Sequence, residues 1–323
     1  MRLCLALITV GSCLALPAQA DSQRDAVTWL QRMAIAAQKL NYTGTFTYQS
    51  GGNSETSRIT HVVDASSEQE KLEVLDGSPR EVVRTNDEVK CFLPDDKVVI
   101  VERRSQYKAF PALLPSSVGS LGEHYRIRKG GVARIAGFDS QLIVLEPRDK
   151  LRYGHMLWSE TTSGLLLKAR MVNEKNEPIE QFAFTQLQIG GVIDRESLKP
   201  KYGATGAQWR VQDAHAAEIG PAVGDWVFKA QPTGFWKSAS MKRQETQAGI
   251  ETTHFVFSDG LASISVFIEP LGGRQEKAEP ETYSAGAINV YKRVLAGHLL
   301  TVLGEVPPAT LKRLGDGIEP KRK

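Results

Sequence analysis

Cysteine is almost missing from this chain. Of three in 323 residues, Cys4 and Cys13 fall in the first twenty positions and Cys91 stands alone. Residues 21–323 therefore hold no pair for an internal disulfide, and stability must come from an ordinary apolar core. Excess charge is missing too. Forty basic residues face 37 acidic ones, a net +3, which gives no field for nucleic-acid binding. Beyond the N-terminus no apolar run approaches the ~18 residues of a membrane span. Catalytic signatures are absent: the sequence contains no GxSxG, HExxH, Walker loop or GxGxxG. His61, His124, His155, His215, His254 and His298 are too scattered for metal-ligand spacing and read as surface or strand residues. Cys91, within Lys90-Cys91-Phe92-Leu93, reads as an inert strand thiol rather than a nucleophile. No catalytic residue, cofactor or metal is expected, which leaves an enzyme, such as an exported hydrolase, the weakest class.

What is present begins with a leader. Arg2 is a short basic region, Leu3 to Leu16 is almost wholly apolar, and Pro17-Ala18-Gln19-Ala20 ends in a small-x-small pattern. This predicts a secretory signal over 1–20, cut after Ala20 to leave Asp21 first. Ser12-Cys13 resembles a lipoprotein cleavage site but would cut the apolar run short. Removing the leader lowers the net charge by one.

Ala26, Trp29, Leu30, Met33, Ala37 and Leu40 recur at helical spacing, which predicts an amphipathic helix of about four turns. Asn41 ends it, and a helix end followed by a strand explains Asn41-Tyr42-Thr43 better than a glycosylation sequon. The period then changes to two: Tyr42, Gly44, Phe46 and Tyr48 alternate with threonines, and Ser50-Gly51-Gly52-Asn53 turns the chain. Strand-and-turn units continue through Leu72 to Val74, Glu81 to Thr85, Val98 to Val101 and Tyr125 to Lys129, the last expected to turn at Gly130-Gly131. Gln141 to Leu145, Tyr153 to Trp158, Leu165 to Val172 and Ile179 to Ile189 complete the series. The expected fold class is α+β: one large, curved antiparallel sheet with a helical plug on its concave side, then a small α+β domain. Glycines and prolines between Asp194 and Gly224 mark the boundary. The expected division is a first domain over 21–193, a linker over 194–222 and a second domain over 223–323. In the second, Thr253 to Phe257 and Ala262 to Ile268 form a hairpin about Asp259-Gly260, Asn289 to Leu295 pairs with His298 to Leu303, and Pro307-Pro308 opens a short helix.

Two features suggest binding. Tyr42, Phe46, Tyr48, Phe92 and Phe110, with Leu113 and Leu114, are candidates to line a lipid-sized cavity in the concave face; a closed core is the alternative. The loop Phe110-Pro111-Ala112-Leu113-Leu114-Pro115 is too apolar for an exposed connection, so it tucks into the cavity or meets a partner. A basic run (Arg103, Arg104, Lys108, Arg126, Arg128, Lys129, Arg134) is either a solvated edge or a docking surface for anionic lipid or an acidic partner.

An ordered set of segments resembles the RseB/MucB family of periplasmic regulators of the envelope-stress sigma factor (sigma-E/AlgU). The set includes Leu40 to Phe46, Leu75-Asp76-Gly77 with Arg80 to Arg84, Pro147-Arg148-Asp149 with Arg152-Tyr153-Gly154, Gly164 to Lys168, Phe184 to Leu187, Asp259 to Pro270 and Val302 to Pro307. The resemblance implies a first domain similar to the lipoprotein carriers LolA and LolB. It implies a periplasmic location and binding to the periplasmic part of the anti-sigma factor RseA or MucA. By the same resemblance, that binding is expected to shield the anti-sigma factor from the site-1 protease DegS, with lipopolysaccharide or an acylated lipoprotein as the expected releasing signal. Partner contacts are expected on the second domain, at Phe255, Phe257, Phe267, Tyr291, Lys292 and Arg293, and a homo-oligomer is compatible with the sequence. A lipid or lipoprotein carrier is the rival, since the first domain alone suits both, but a carrier needs no second domain.

Overall fold

A computed structural model describes residues 17–103, 110–115, 118–202, 209–213, 217–218, 225–244, 251–272 and 279–321. The chain opens with α1 (Pro17–Lys39) and continues with β1 (Tyr42–Ser50), β2 (Asn53–Val63), β3 (Glu68–Val74), β4 (Glu81–Thr85), β5 (Glu88–Leu93) and β6 (Val98–Arg103). A single helical turn, α2 (Leu121–His124), precedes β7 (Tyr125–Ile135), β8 (Phe138–Pro147), β9 (Gly154–Glu160), β10 (Leu166–Val172) and β11 (Pro178–Ile189). Among the described residues these strands and β12 (Arg210–Asp213) form one twelve-stranded sheet, in the order β12-β6-β5-β4-β3-β2-β1-β11-β10-β9-β8-β7. It is two meanders joined along a central seam where β1 pairs antiparallel with β11. The sheet curls far enough to bring β7 against β11.

α1 fills the concave side as its periodicity predicts. Ala26, Leu30 and Met33 are at most 1% exposed and pack with Ile143, Leu157, Leu165 and Phe184. Each large apolar side chain buried this way contributes about 1.5–3 kcal/mol. The helix stops at Lys39, and Asn41 lies in the short connection before β1, its side chain accepting the Val63 N–H at 2.8 Å. On β1, Tyr42 and Phe46 point inward while the threonines face out. Gly44 is required between them, because a Cβ there would meet the Phe184 ring at 2.8 Å and the Gln186 carbonyl at 2.6 Å.

One expected turn is corrected. Gly130-Gly131 does not reverse the chain; β7 runs on to Ile135, and the glycines form a bulge between Lys129 and Val132. The Leu142 side chain occupies the space a Cβ on Gly130 would need, and Gln141 Nε2 donates to the Gly130 carbonyl at 2.6 Å. A close approach and a satisfied carbonyl favour the bulge. The reversal falls at Ala136-Gly137, both at positive φ (47° and 89°), as a tight hairpin requires.

The segment after β11 carries structure of its own. A short 3₁₀ turn, Arg195–Leu198, lies on β2 and β3. Beneath it Lys71 and Glu81, both at most 5% exposed, form an ion pair at 3.0 Å. Lys71 Nζ donates to the Lys199 carbonyl and Glu81 accepts the Lys201 N–H. β12 then adds to β6 in parallel, in a sheet otherwise antiparallel.

The second sheet runs β13-β15-β16-β17-β20-β19-β18, with β13 (Ala217–Glu218), β15 (Trp236–Gln244), β16 (Glu251–Ser258), β17 (Ser263–Pro270), β18 (Glu281–Ala285), β19 (Ile288–Leu295) and β20 (His298–Gly304). β14 (Trp226–Phe228) pairs with β21 (Ile318–Pro320). α3 (Pro308–Asp316) packs on β19 and β20, with Leu311 and Leu314 fully buried. No described helix is long and apolar enough to cross a membrane.

Candidate functional site

The concave interior of the first domain gathers most of the expected cavity residues. Phe46 lies 5.2 Å from Phe110 and 5.9 Å from Phe184, and Phe110 stacks on Phe182 at 5.2 Å. Leu113, Leu114 and Tyr48 join the same cluster, and Phe110 and Leu114 are at most 5% exposed. The apolar loop therefore tucks inward. Tyr42 faces the same interior but is stacked on His61 at 4.9 Å, and its hydroxyl has no hydrogen-bond partner among the described residues. Burial pushes the Tyr42 phenol well above its ordinary range. Phe92 is not part of this group; it meets Trp209, the residue before β12, edge-on. In the described state the aromatics fill the interior.

Sequence patterning did not single out the second constellation, at the junction of the domains. The guanidinium of Arg152, in the loop between β8 and β9, is fully buried. It donates to both Asp149 oxygens at 3.0 and 3.1 Å, to Asp259 Oδ2 at 2.6 Å and to the Thr233 carbonyl at 2.7 Å. Asp259, in the β16–β17 turn, is also fully buried. Its Oδ2 accepts the Tyr125 hydroxyl, and its Oδ1 accepts the Leu261 and Ala262 N–H groups. Every lone-pair direction of that carboxylate is thus used, as a buried charge requires. The Arg152 guanidinium lies 4.9 Å from the Phe235 ring centre. Burial works to lower its pKa, but Asp149 and Asp259 outweigh that and raise it. Burial raises the Tyr125 phenol, with Asp259 adding to the effect.

Packing interlocks around this cluster. Leu261 of the second domain sits against the first core, and Leu151 of the first sits against the second. Thr310 Oγ1 donates to the Leu151 carbonyl, Asn289 Nδ2 to the Tyr153 hydroxyl, and the Ala287 N–H to Ser50 Oγ. Gly234, at φ +82°, admits the His124 ring where a Cβ would stand.

Three expected partner contacts are corrected. Phe255, Phe257 and Tyr291 are at most 1% exposed and build the second core, because the inward-facing positions of β16 and β19 are the ones that carry the large rings. Phe267 is half-buried and stacks on His254. Lys292 lies 3.9 Å from Glu281, and Arg293 donates to the Ile318 carbonyl. Of the basic run, Arg126 and Arg128 flank Glu146 and Lys129 pairs with Asp25; Arg134 is exposed. Arg104, Lys108 and the side chain of Arg103 lie outside the described residues, as does His215. Among the described residues no group of His, Cys, Asp and Glu is arranged to hold a metal.

Family models described as the MucB/RseB N-terminal domain and the MucB/RseB C-terminal domain match residues 25–202 and 221–319. The sigma factor AlgU regulatory protein MucB of Pseudomonas aeruginosa is 31% identical, over 99% of this chain and 98% of its own length. The sigma-E factor regulatory protein RseB of Escherichia coli K12 is 25% identical, over 98% of each chain. Among solved structures, MucB in complex with MucA(peri) superposes with a TM-score of 0.73 at 29% identity, covering 93% of this chain and 100% of that one. A Pseudomonas aeruginosa MucA/MucB complex gives 0.74 at 30%, with the same coverage. Both domain models matching in order, across a continuous fold likeness, place the chain in the MucB/RseB family of sigma-factor regulatory proteins, which are not enzymes.

Proposed function

We propose that the chain from Asp21 onward works in the periplasm, where it binds the periplasmic segment of an inner-membrane anti-sigma factor of the MucA/RseA kind. In doing so it shields that segment from site-1 proteolysis and restrains the envelope-stress response. The observation that carries this reading is the likeness, across both domains at once, to a chain solved with MucA(peri) bound. The leader over 1–20 supports the location. The first domain (21–193) is the sensor and the second (223–323), joined through 194–222, supplies partner contacts. With Phe255, Phe257 and Tyr291 in the core, those contacts fall to the β18–β19 hairpin, where Tyr283 and Ile288 are 43% and 39% exposed.

Lipopolysaccharide or an acylated lipoprotein is the releasing signal in this reading, its acyl chain replacing Phe110 and Leu114 against Phe46 and Phe182. Each buried methylene contributes about 0.8 kcal/mol, so one chain can compete with the loop. The same apolar interior favours a lipid or lipoprotein carrier as the second reading; the interlocked second domain argues for the regulator.

Titration calorimetry of the mature chain with a synthetic anti-sigma periplasmic segment, with and without an acylated ligand, tests both parts. Lipid is expected to weaken partner binding, and partner to weaken lipid binding by the same factor. Lipid uptake with no partner binding would leave the carrier; partner affinity indifferent to lipid would remove the sensor.

A further inference from the structure

The convex face of β7–β11, opposite the helical plug, carries an arrangement that neither the interior nor the junction uses. Antiparallel register places Arg128, Val144, Met156, Arg170 and Gln181 side by side across five strands. A second row sets Leu142, Trp158 and Lys168 in line, and Arg126 stands opposite Glu146. Their sequence neighbours Ile143, Leu145, Leu157 and Ala169 lie in the first core, so these residues share the outer face. The result is an apolar floor between two pairs of cations.

The two sides differ in charge balance. Arg128 and Arg126 lie 2.7 and 4.0 Å from Glu146. Lys168 and Arg170 have no carboxylate partner among the described residues: Lys168 Nζ lies 4.9 Å from the Trp158 ring centre, and Arg170 spends two donors on the neutral Gln181 amide. Partial burial and the neighbouring Arg170 charge lower the Lys168 pKa, the mark of two like charges held together without a counter-ion.

We infer that this face is a docking surface for an acidic peptide segment, whose carboxylates take Lys168 and Arg170 while its backbone crosses the floor. Under the proposed function that segment belongs to the anti-sigma factor, and the inference rests on that reading only for the partner's identity. A peptide fits better than an anionic membrane. Trp158 and Val144 are only 8% and 7% exposed, and Leu142 and Met156 are half-buried, so little of the floor is free to insert into a bilayer. What remains accessible is cationic heads, whose planar guanidinium matches carboxylate geometry.

The test is fluorescence anisotropy of a labelled glutamate-rich synthetic peptide against the full mature chain, with vesicles of anionic lipid as the second probe. Binding is expected to weaken with salt and to fall about tenfold in the double variant Lys168→Glu/Arg170→Glu. Glu146→Gln, which removes the competing internal carboxylate, is expected to tighten binding about twofold to fivefold, a gain that misfolding cannot produce. Peptide affinity unchanged in both variants overturns the inference, as does capture of vesicles without the peptide. Because the peptide probe is independent of the anti-sigma segment, failure of that segment to bind the wild type would count against the proposed function and leave this result standing.

Discussion

The aromatic interior of the first domain and the ion cluster at the junction are both buried, and they are held in opposite ways. Phe46, Phe110, Phe182 and Phe184 meet through rings at 5–6 Å with varied tilts. Such contacts are non-directional, and any apolar occupant of similar volume can replace one of them. Arg152 and Asp259 are held by donors and acceptors in fixed directions, with no substitute available in an apolar setting. The packing of the interior therefore tolerates one apolar group in place of another, whereas the junction keeps its arrangement or loses it as a unit. In the proposed reading the tolerant interior is the sensor, and the fixed junction ties it to the domain that supplies partner contacts.

The largest effect is expected at Arg152. Arg152→Met leaves Asp149 and Asp259 facing each other without a cation, and is expected to destabilise by about 3–5 kcal/mol. Calorimetry should resolve two melting transitions in place of a joint one; one unchanged transition would show that the cluster does not unite the domains. Phe110→Ala opens a cavity in the interior and is expected to cost about 3 kcal/mol. Here an acylated ligand should restore much of the loss in thermal melts, while no ligand should rescue Arg152→Met.

Acidity sharpens the contrast at a smaller scale. Across the junction, burial and the nearby Glu305 raise Glu180 to about 7, against the opposing hydrogen bond from Tyr48. A carboxyl raised in the folded state contributes stability that is complete below its ordinary pKa near 4.5 and is lost as pH rises through about 7. The wild type should thus lose on the order of 1 kcal/mol between pH 5 and 8, measured by denaturant unfolding, and Glu180→Gln should flatten that slope. His155 runs the other way: burial lowers it to about 4, so its contribution is present above 6.5 and is lost as pH falls toward 4. The smallest effect is expected at Thr310→Val, which removes one buried hydrogen bond to the Leu151 carbonyl and should cost about 1 kcal/mol.

Much of the fold was legible because it is written in local periods. The 3.6-residue recurrence from Ala26 to Leu40 marked the plug, and alternation with turn residues marked β1, β16 and β17. The bulge at Gly130-Gly131 was not legible, since a paired glycine signals a reversal as readily as a close approach, and Leu142 decides between them. The junction escaped for a different reason. Arg152 and Asp259 stand 107 positions apart, and nothing local distinguishes a buried arginine from a solvated one. The short Asp149-x-x-Arg152 spacing and the Asp259-Gly260 turn were visible, but only the fold brings them together. Phe255, Phe257 and Tyr291 were misread because strand patterning shows that one face carries large rings, not which face meets solvent.

The most direct measurement compares the affinity of the anti-sigma periplasmic segment for the wild-type mature chain and for Arg152→Met, with near-UV circular dichroism confirming that both domains stay folded. If a fixed junction presents both domains to one partner, affinity should fall at least about tenfold, equivalent to ~1.4 kcal/mol. Equal affinity in the two proteins would contradict it, because the partner would then be reading one domain alone.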